Sequence, residues 1–167
     1  MPLDIMPILI WMGAILFLFF AFVVFFGAPY LPTLAPQITV AIELLDVQPQ
    51  QKILELGSGD GRVLAAIASR GAYAIGYELN PVLVVVSRLR CRKYGDHVRV
   101  VWGSFWRKSL PACEGIFVFL HPKYMTKLDK KITQEFSKKV KLVSFAFKIP
   151  GRTIGKEKDG VFLYEYN

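Results

Sequence analysis

Eight residues constrain this chain more than any others: Glu55-Leu56-Gly57-Ser58-Gly59-Asp60-Gly61-Arg62. They stand where a short β-type run, Lys52–Leu56, passes into a helix-like run, Arg62–Arg70. Alternating glycines at such a junction let the chain turn tightly and let a ligand approach the backbone, and a helix N-terminus offers amide hydrogens. After Gly71 a second β-type run, Tyr73–Tyr77, leads to Glu78, 17 positions beyond Gly61. A carboxylate at the end of that strand is placed to bind the two hydroxyls of a ribose. The pattern implies a nucleotide-like ligand at the carboxyl edge of a parallel sheet.

The details narrow the ligand. The dinucleotide fingerprint is GxGxxG. Here the spacing is Gly57-x-Gly59-x-Gly61, with acids at Glu55 and Asp60. Acids beside the turn would repel a pyrophosphate and suit a ligand carrying an ammonium and a sulfonium. No GKS or GKT follows, so a P-loop is excluded.

The alternation continues. Pro81–Tyr94 reads as a helix with proline in its first turn, and Val98–Trp102 as a third strand. Gly115–Leu120 is nearly all apolar, as a strand covered on both faces should be. In Tyr124–Val140, Met125, Leu128, Ile132, Phe136 and Val140 form one helical stripe, with lysines opposite. Leu142–Phe147 and Val161–Tyr166 read as strands. Alternating β and α argues for an α/β fold: a Rossmann-like open, mostly parallel sheet with helices on both sides.

These residues resemble the class I S-adenosylmethionine-dependent methyltransferases through most of Tyr30–Gly151. Glu55-x-Gly57-x-Gly59-x-Gly61 matches their first motif and Glu78 their second. An N-terminal apolar segment, then Pro29-Tyr30-Leu31-Pro32-Thr33, the glycine turn, and Gly76-Tyr77-Glu78-Leu79-Asn80 resemble, more narrowly, the membrane-anchored protein-lysine methyltransferases. That family includes enzymes modifying the c-ring protein of ATP synthase and the adenine nucleotide translocase. The resemblance implies S-adenosyl-L-methionine as cofactor and S-adenosyl-L-homocysteine as product. It implies that Glu55 holds the methionine amino group and that Gly57, Ser58, Gly59 and Gly61 pack against the methionine and ribose. Asp60 either touches the ligand or caps the helix. Glu78 binds the ribose with Asn80 close by, Ser104 and Phe105 flank the adenine, and Thr33 is a candidate contact. His121 and Tyr124, after the fourth strand, are the catalytic candidates, with a loop histidine and a cap tyrosine as the plain alternative. His121 would orient the amine or accept a proton, and Tyr124 would form part of a cation-binding wall. A sulfonium methyl is already activated, so no obligatory strong base is expected. The class usually has seven strands, and the short chain behind the apolar segment implies a trimmed sheet.

Ile8–Ala28 is a run of 21 residues with no polar side chain, holding six of the 13 phenylalanines. As a helix it is about 30 Å long, the thickness of a bilayer core, with Trp11 and Tyr30 near its ends. It lacks the basic start and short apolar core of a cleaved signal. The chain therefore divides into an anchor, residues 1–29, a linker and lead-in helix, 30–51, and a cofactor-binding domain, 52–167. All 21 Lys and Arg lie at or after Lys52, against 13 Asp and Glu, for a net charge of +8. That asymmetry places the N-terminus outside and the domain on the cytoplasmic side or its organelle equivalent.

The expected partners are the lipid bilayer and a membrane or membrane-proximal protein. Aromatic residues do not interleave with the basic runs, which argues against nucleic acid. Cys91 and Cys113 have neither CxxC spacing nor a neighbouring histidine, so neither a disulfide framework nor a metal is expected. Two other functions fit the anchor: methylation of a lipid or lipophilic small molecule, and a cofactor-binding scaffold without activity.

Overall fold

The computed structural model describes residues 5–26 and 31–166, with 18–26 described by backbone alone. Two compact units divide the chain, Met1–Leu31 and Pro32–Asn167. The first holds one helix, α1, Ile5–Phe26. Its described side chains, Ile5 to Phe17, are exposed except for the half-buried Ala14. Among the described residues no helix is long and apolar enough to cross a membrane, so the fold does not establish the expected span. The expected break at Pro29 and the interfacial Tyr30 lie outside the described residues.

The second unit opens with α2, Ala35–Leu45, which has proline in its first turn and ends at Asp46 in the left-handed region (φ 54°). Ile38, Ala41, Ile42 and Leu45, at the helical spacing seen in the sequence, are buried. There follow β1 Lys52–Leu56, α3 Arg62–Ala68, β2 Tyr73–Glu78, α4 Pro81–Cys91, β3 Val98–Trp102 and β4 Gly115–Val118. α5 Met125–Glu135, β5 Val140–Phe145, β6 Lys156–Lys158 and β7 Val161–Tyr166 complete the unit.

The strands make one seven-stranded sheet in the order β3-β2-β1-β4-β5-β7-β6. β3, β2, β1, β4 and β5 run parallel, and β7 is antiparallel to both its neighbours. Each face of the sheet carries its own core. Ile53, Leu64, Ile67, Val84 and Phe117 join α2, α3 and α4 on one face. Leu54, Leu56, Ile116, Leu128 and Ile132 join α5 on the other. Strand alternation sends successive side chains of β1 and β4 to opposite cores, and both strands are buried.

The expected trimming of the sheet is corrected: all seven strands are present, and what is reduced is the connections. Only a 3-10 turn, Phe105–Arg107, stands between β3 and β4, and no helix lies among the described residues between β5 and β6. The helix expected over Tyr124–Val140 ends at Glu135, with Phe136 extended (φ −107°, ψ 110°) and Val140 opening β5.

Candidate active site

β1 delivers Glu55 and the glycine loop to the carboxyl edge of the sheet. The loop is seated on β2: the Gly57 and Ser58 amides both donate to the Tyr77 carbonyl at 2.9 Å, and Gly61 N–H donates to Ser58 O. Two glycines are required for this fit. A Cβ on Gly61 (φ +79°) would lie 2.3 Å from Ser87 Oγ and 3.0 Å from Ser87 Cα. A Cβ on Gly76, in β2 beneath the loop, would lie 2.5 Å from Leu64 Cδ1 and 2.7 Å from Ser58 Oγ. Above Gly57 the picture reverses. A Cβ there would meet only Leu120 Cδ2, at 3.9 Å, so the outer surface of the loop is open and faces the chain leaving β4.

Glu78 joins this loop to the next turn. Its Oε2 accepts from Gly59 N–H and its Oε1 from Asn80 N–H, both at 2.8 Å. Asn80 caps α4, its Oδ1 accepting from Val82 N–H at 2.9 Å. Leu79 stands between them with its side chain half exposed. The loop amides are thus largely satisfied within the protein, unlike a phosphate cradle, whose amides point at the ligand.

Glu55 is buried, and its Oε2 has no hydrogen-bond partner. Burial, with the carboxylates of Asp60 and Glu78 nearby, pushes it well above its ordinary 4.5, against a backbone hydrogen bond from Leu64. A buried acid with an unsatisfied oxygen is suited to a cationic ligand. Ser58 is also buried, with its Oγ unpaired against Gly76, so its side chain faces the core and not the outer rim of the loop.

Asp60 is buried among guanidinium groups at the start of α3, where the N-cap residue itself is Gly61. Arg62 Nε lies 3.0 Å from Asp60 Oδ1, and Arg62 Nη2 and Arg90 Nη2 lie 2.9 and 2.7 Å from its Oδ2. Arg62 N–H donates to Oδ1 at 3.3 Å. Arg62 Nη1 also donates to the Thr33 carbonyl at 3.2 Å. The buried Thr33 is thereby tied to the glycine loop, an association that no local spacing could reveal.

The segments that follow β3 and β4 carry an aromatic group. Ser104 precedes the 3-10 turn, and Phe105 is buried. The Phe105 and Trp106 rings lie 4.4 Å apart, and those of Trp106 and Tyr124 6.0 Å. Lys127 Nζ sits 4.6 Å over the Trp106 ring and Lys123 Nζ 4.9 Å over the Tyr124 ring. These rings therefore already carry ammonium groups. Sequence reasoning missed Trp106; its signal was the Phe-Trp pair following the third strand. His121 is exposed, and its Nδ1 accepts from Lys123 N–H at 3.3 Å, which places the ring proton on Nε2. Tyr124 N–H donates to the His121 carbonyl at 2.9 Å.

Cys91 and Cys113 are buried thiols, pushed up by burial to about 11 and about 12. Among the described residues no group of three His, Cys, Asp or Glu is placed to hold a metal.

A family model described as the ANTKMT methyltransferase domain matches residues 55–156. The chain is 31% identical over 143 residues to the lysine N-methyltransferase of the ATP synthase c-ring protein of Xenopus laevis, covering 82% of this chain and 63% of the relative. It is 34% identical over 144 residues to the adenine nucleotide translocase lysine N-methyltransferase of Mus musculus, covering 82% and 62%. The chain thus spans about three-fifths of the length of these relatives. Among solved structures, an RNA methyltransferase from Salinibacter ruber, crystallised with S-adenosyl-L-homocysteine, superposes with a TM-score of 0.74 at 26% identity. That match covers 81% of this chain and 92% of the other.

Proposed function

Because the chain belongs to the ANTKMT methyltransferase domain family, we propose that it transfers a methyl group from S-adenosyl-L-methionine to a protein lysine at a membrane. One observation carries the reading furthest: an open glycine loop lined by the acids Glu55 and Glu78, with its amides turned inward. That loop suits a cofactor bearing positive charge and a ribose and no phosphate. The residues fit the cofactor: Glu55 would take its ammonium, Glu78 its ribose hydroxyls, Gly57 and Gly59 its close backbone approach, and Ser104 and Phe105 its adenine.

Bound there, S-adenosyl-L-methionine supplies a methyl group on a sulfonium, already activated for displacement. The protein's task is to position the acceptor and exclude water. A lysine amine, with a pKa near 10.4 in water, must attack in its neutral form. The Trp106–Tyr124 wall lies against the incoming lysine, whose neutral form is favoured by the like charges of Lys123 and Lys127 over those rings. With Nδ1 engaged by the Lys123 amide and the ring proton on Nε2, His121 has no free lone pair to take a proton, so its role is to orient the acceptor, and the proton made acidic by bond formation leaves to solvent.

The N-terminal unit is read as the anchor. The unbroken apolar run Ile8–Ala28 supports it, together with the absence of Lys and Arg before Lys52. The same charge asymmetry supports a domain on the cytoplasmic or equivalent side, where a lysine near the bilayer surface comes within reach.

One comparison favours a second reading, RNA as acceptor: the Salinibacter ruber relative is named an RNA methyltransferase. Mass spectrometry of cells with and without the gene separates the two. Loss of a methyl-lysine from a membrane protein supports the first reading. Loss of a methylated nucleotide supports the second, and loss of a methylated lipid would replace both.

A further inference from the structure

Helix α4 is apolar on two sides. Its inner side, with Val84, Ser87 and Cys91, is buried against the sheet. Its outer side carries Val82, Val85, Val86 and Leu89 at i, i+3, i+4 and i+7, the spacing of one helical face. All four are exposed, Val85 by 54% and Leu89 by 65%. The stripe runs about 10 Å along the helix. Trp102 pairs in register with Glu78 and shares a strand face with the buried Val100, which belongs to the core beneath α4. Its ring is 62% exposed, and its one polar atom is already used, Nε1 donating to the Leu79 carbonyl at 3.1 Å. The exposed ring thus offers apolar surface alone.

The charge beside this stripe is mostly positive, with Arg90 paired to Asp60. α4 contains no acid; Arg88 and Arg90 lie in its last turn, and Arg92 and Lys93 open the 3-10 turn that follows it. Arg88 Nη2 donates to the Val100 carbonyl and Arg90 is held by Asp60, so these charges are fixed on the fold. We infer that the α4 face, Val82/Val85/Val86/Leu89 with Trp102 at its rim, rests on the surface of an anionic bilayer. An apolar stripe flanked by arginines is the pattern of a helix lying at the headgroup boundary. A second copy of the chain would set these same cations against one another. RNA offers no surface that a row of valines would cover. The inference rests on the membrane reading of the N-terminal unit, and it adds an orientation: the domain lies on its α4 face.

The test uses the full chain reconstituted into vesicles of phosphatidylglycerol and phosphatidylcholine. A nitroxide is placed at Val85→Cys, Leu89→Cys or, on the opposite sheet face, the exposed Lys130→Cys; both native cysteines are buried. At positions 85 and 89, collision with oxygen should exceed collision with a water-soluble nickel chelate severalfold, and at 130 it should not. The difference should shrink in pure phosphatidylcholine. Equal exposure of all three labels to the chelate in anionic vesicles overturns the inference. So does spin–spin broadening at 85 or 89, which would mean a second copy on the face. The two readings fail separately. A chain that resists alkaline extraction while its α4 labels stay in water loses only the docking. A chain released by that extraction, with labels 85 and 89 in lipid beforehand, loses only the anchor.

Discussion

The two walls of the proposed site are built on different principles. The proposed cofactor wall, Glu55 to Arg62 with Glu78, is held by backbone hydrogen bonds, with Gly61 at a place no side chain could share. The proposed acceptor wall, Trp106, Tyr124 and the exposed His121, is made of side chains on or beside 3-10 turns, with neighbouring lysines over its rings. The first wall therefore tolerates almost no change and fixes one ligand. The second can be rebuilt residue by residue, which is how one fold serves many acceptors.

The contrast predicts a descending series of effects. Gly61→Ala should cost roughly 2–4 kcal/mol, combining overpacking against Ser87 with a left-handed backbone. A fall in denaturation midpoint of less than about 1 kcal/mol equivalent would show the loop to be pliable. Glu78→Ala removes a charged acceptor worth about 1.5–3 kcal/mol, so cofactor affinity should drop roughly 10- to 100-fold by calorimetry while the fold survives. Glu55 should act through pH. Its folded pKa is raised, so its contribution to stability is fully present below 4.5 and is lost as pH rises towards the folded value. Without cofactor, melting temperature should fall over that range in the wild type and less in Glu55→Gln. A cationic ligand favours the ionised acid, so cofactor affinity should rise with pH over the same window, by at most about tenfold per unit. A flat profile in both proteins would remove Glu55 from the ammonium site.

On the acceptor wall the effects should be smaller. Trp106→Ala should raise KM for the acceptor about 2- to 30-fold, the range of a cation–π contact, with cofactor affinity unchanged. His121→Gln should lower kcat less than about tenfold. A loss of the 10²–10⁴ typical of a general base would instead make His121 obligatory.

The cofactor wall was legible because its determinants are local: glycines and acids at fixed offsets around one strand–helix turn. The features that escaped depend on distant pairing. β6 is three exposed charged residues, Lys156-Glu157-Lys158, which no hydrophobic pattern marks. It exists because Asp159 and Gly160, both at positive φ (51° and 75°), turn the chain so that it pairs with β7. An Asp-Gly pair beside the run Val161–Tyr166 was the available hairpin signal. The helix end was misplaced for the opposite reason. Phe136 and Val140 continue the apolar period of α5 and are buried in the same core, although the backbone between them is no longer helical. Trp106 became part of a site only when β3 and β4 were brought to the same edge of the sheet.

The placement of β7 sets an order of events during synthesis. Among the strands it is made after all others, yet it lies between β5 and β6. Until Val161–Tyr166 leaves the ribosome, β5 has an unpaired edge and its core lacks Phe162, Tyr164 and Tyr166. β1, β2 and β4, which carry the cofactor wall, emerge well before that moment, and the N-terminal helix before any of them. Until then the exposed β5 edge is open to pairing with other chains.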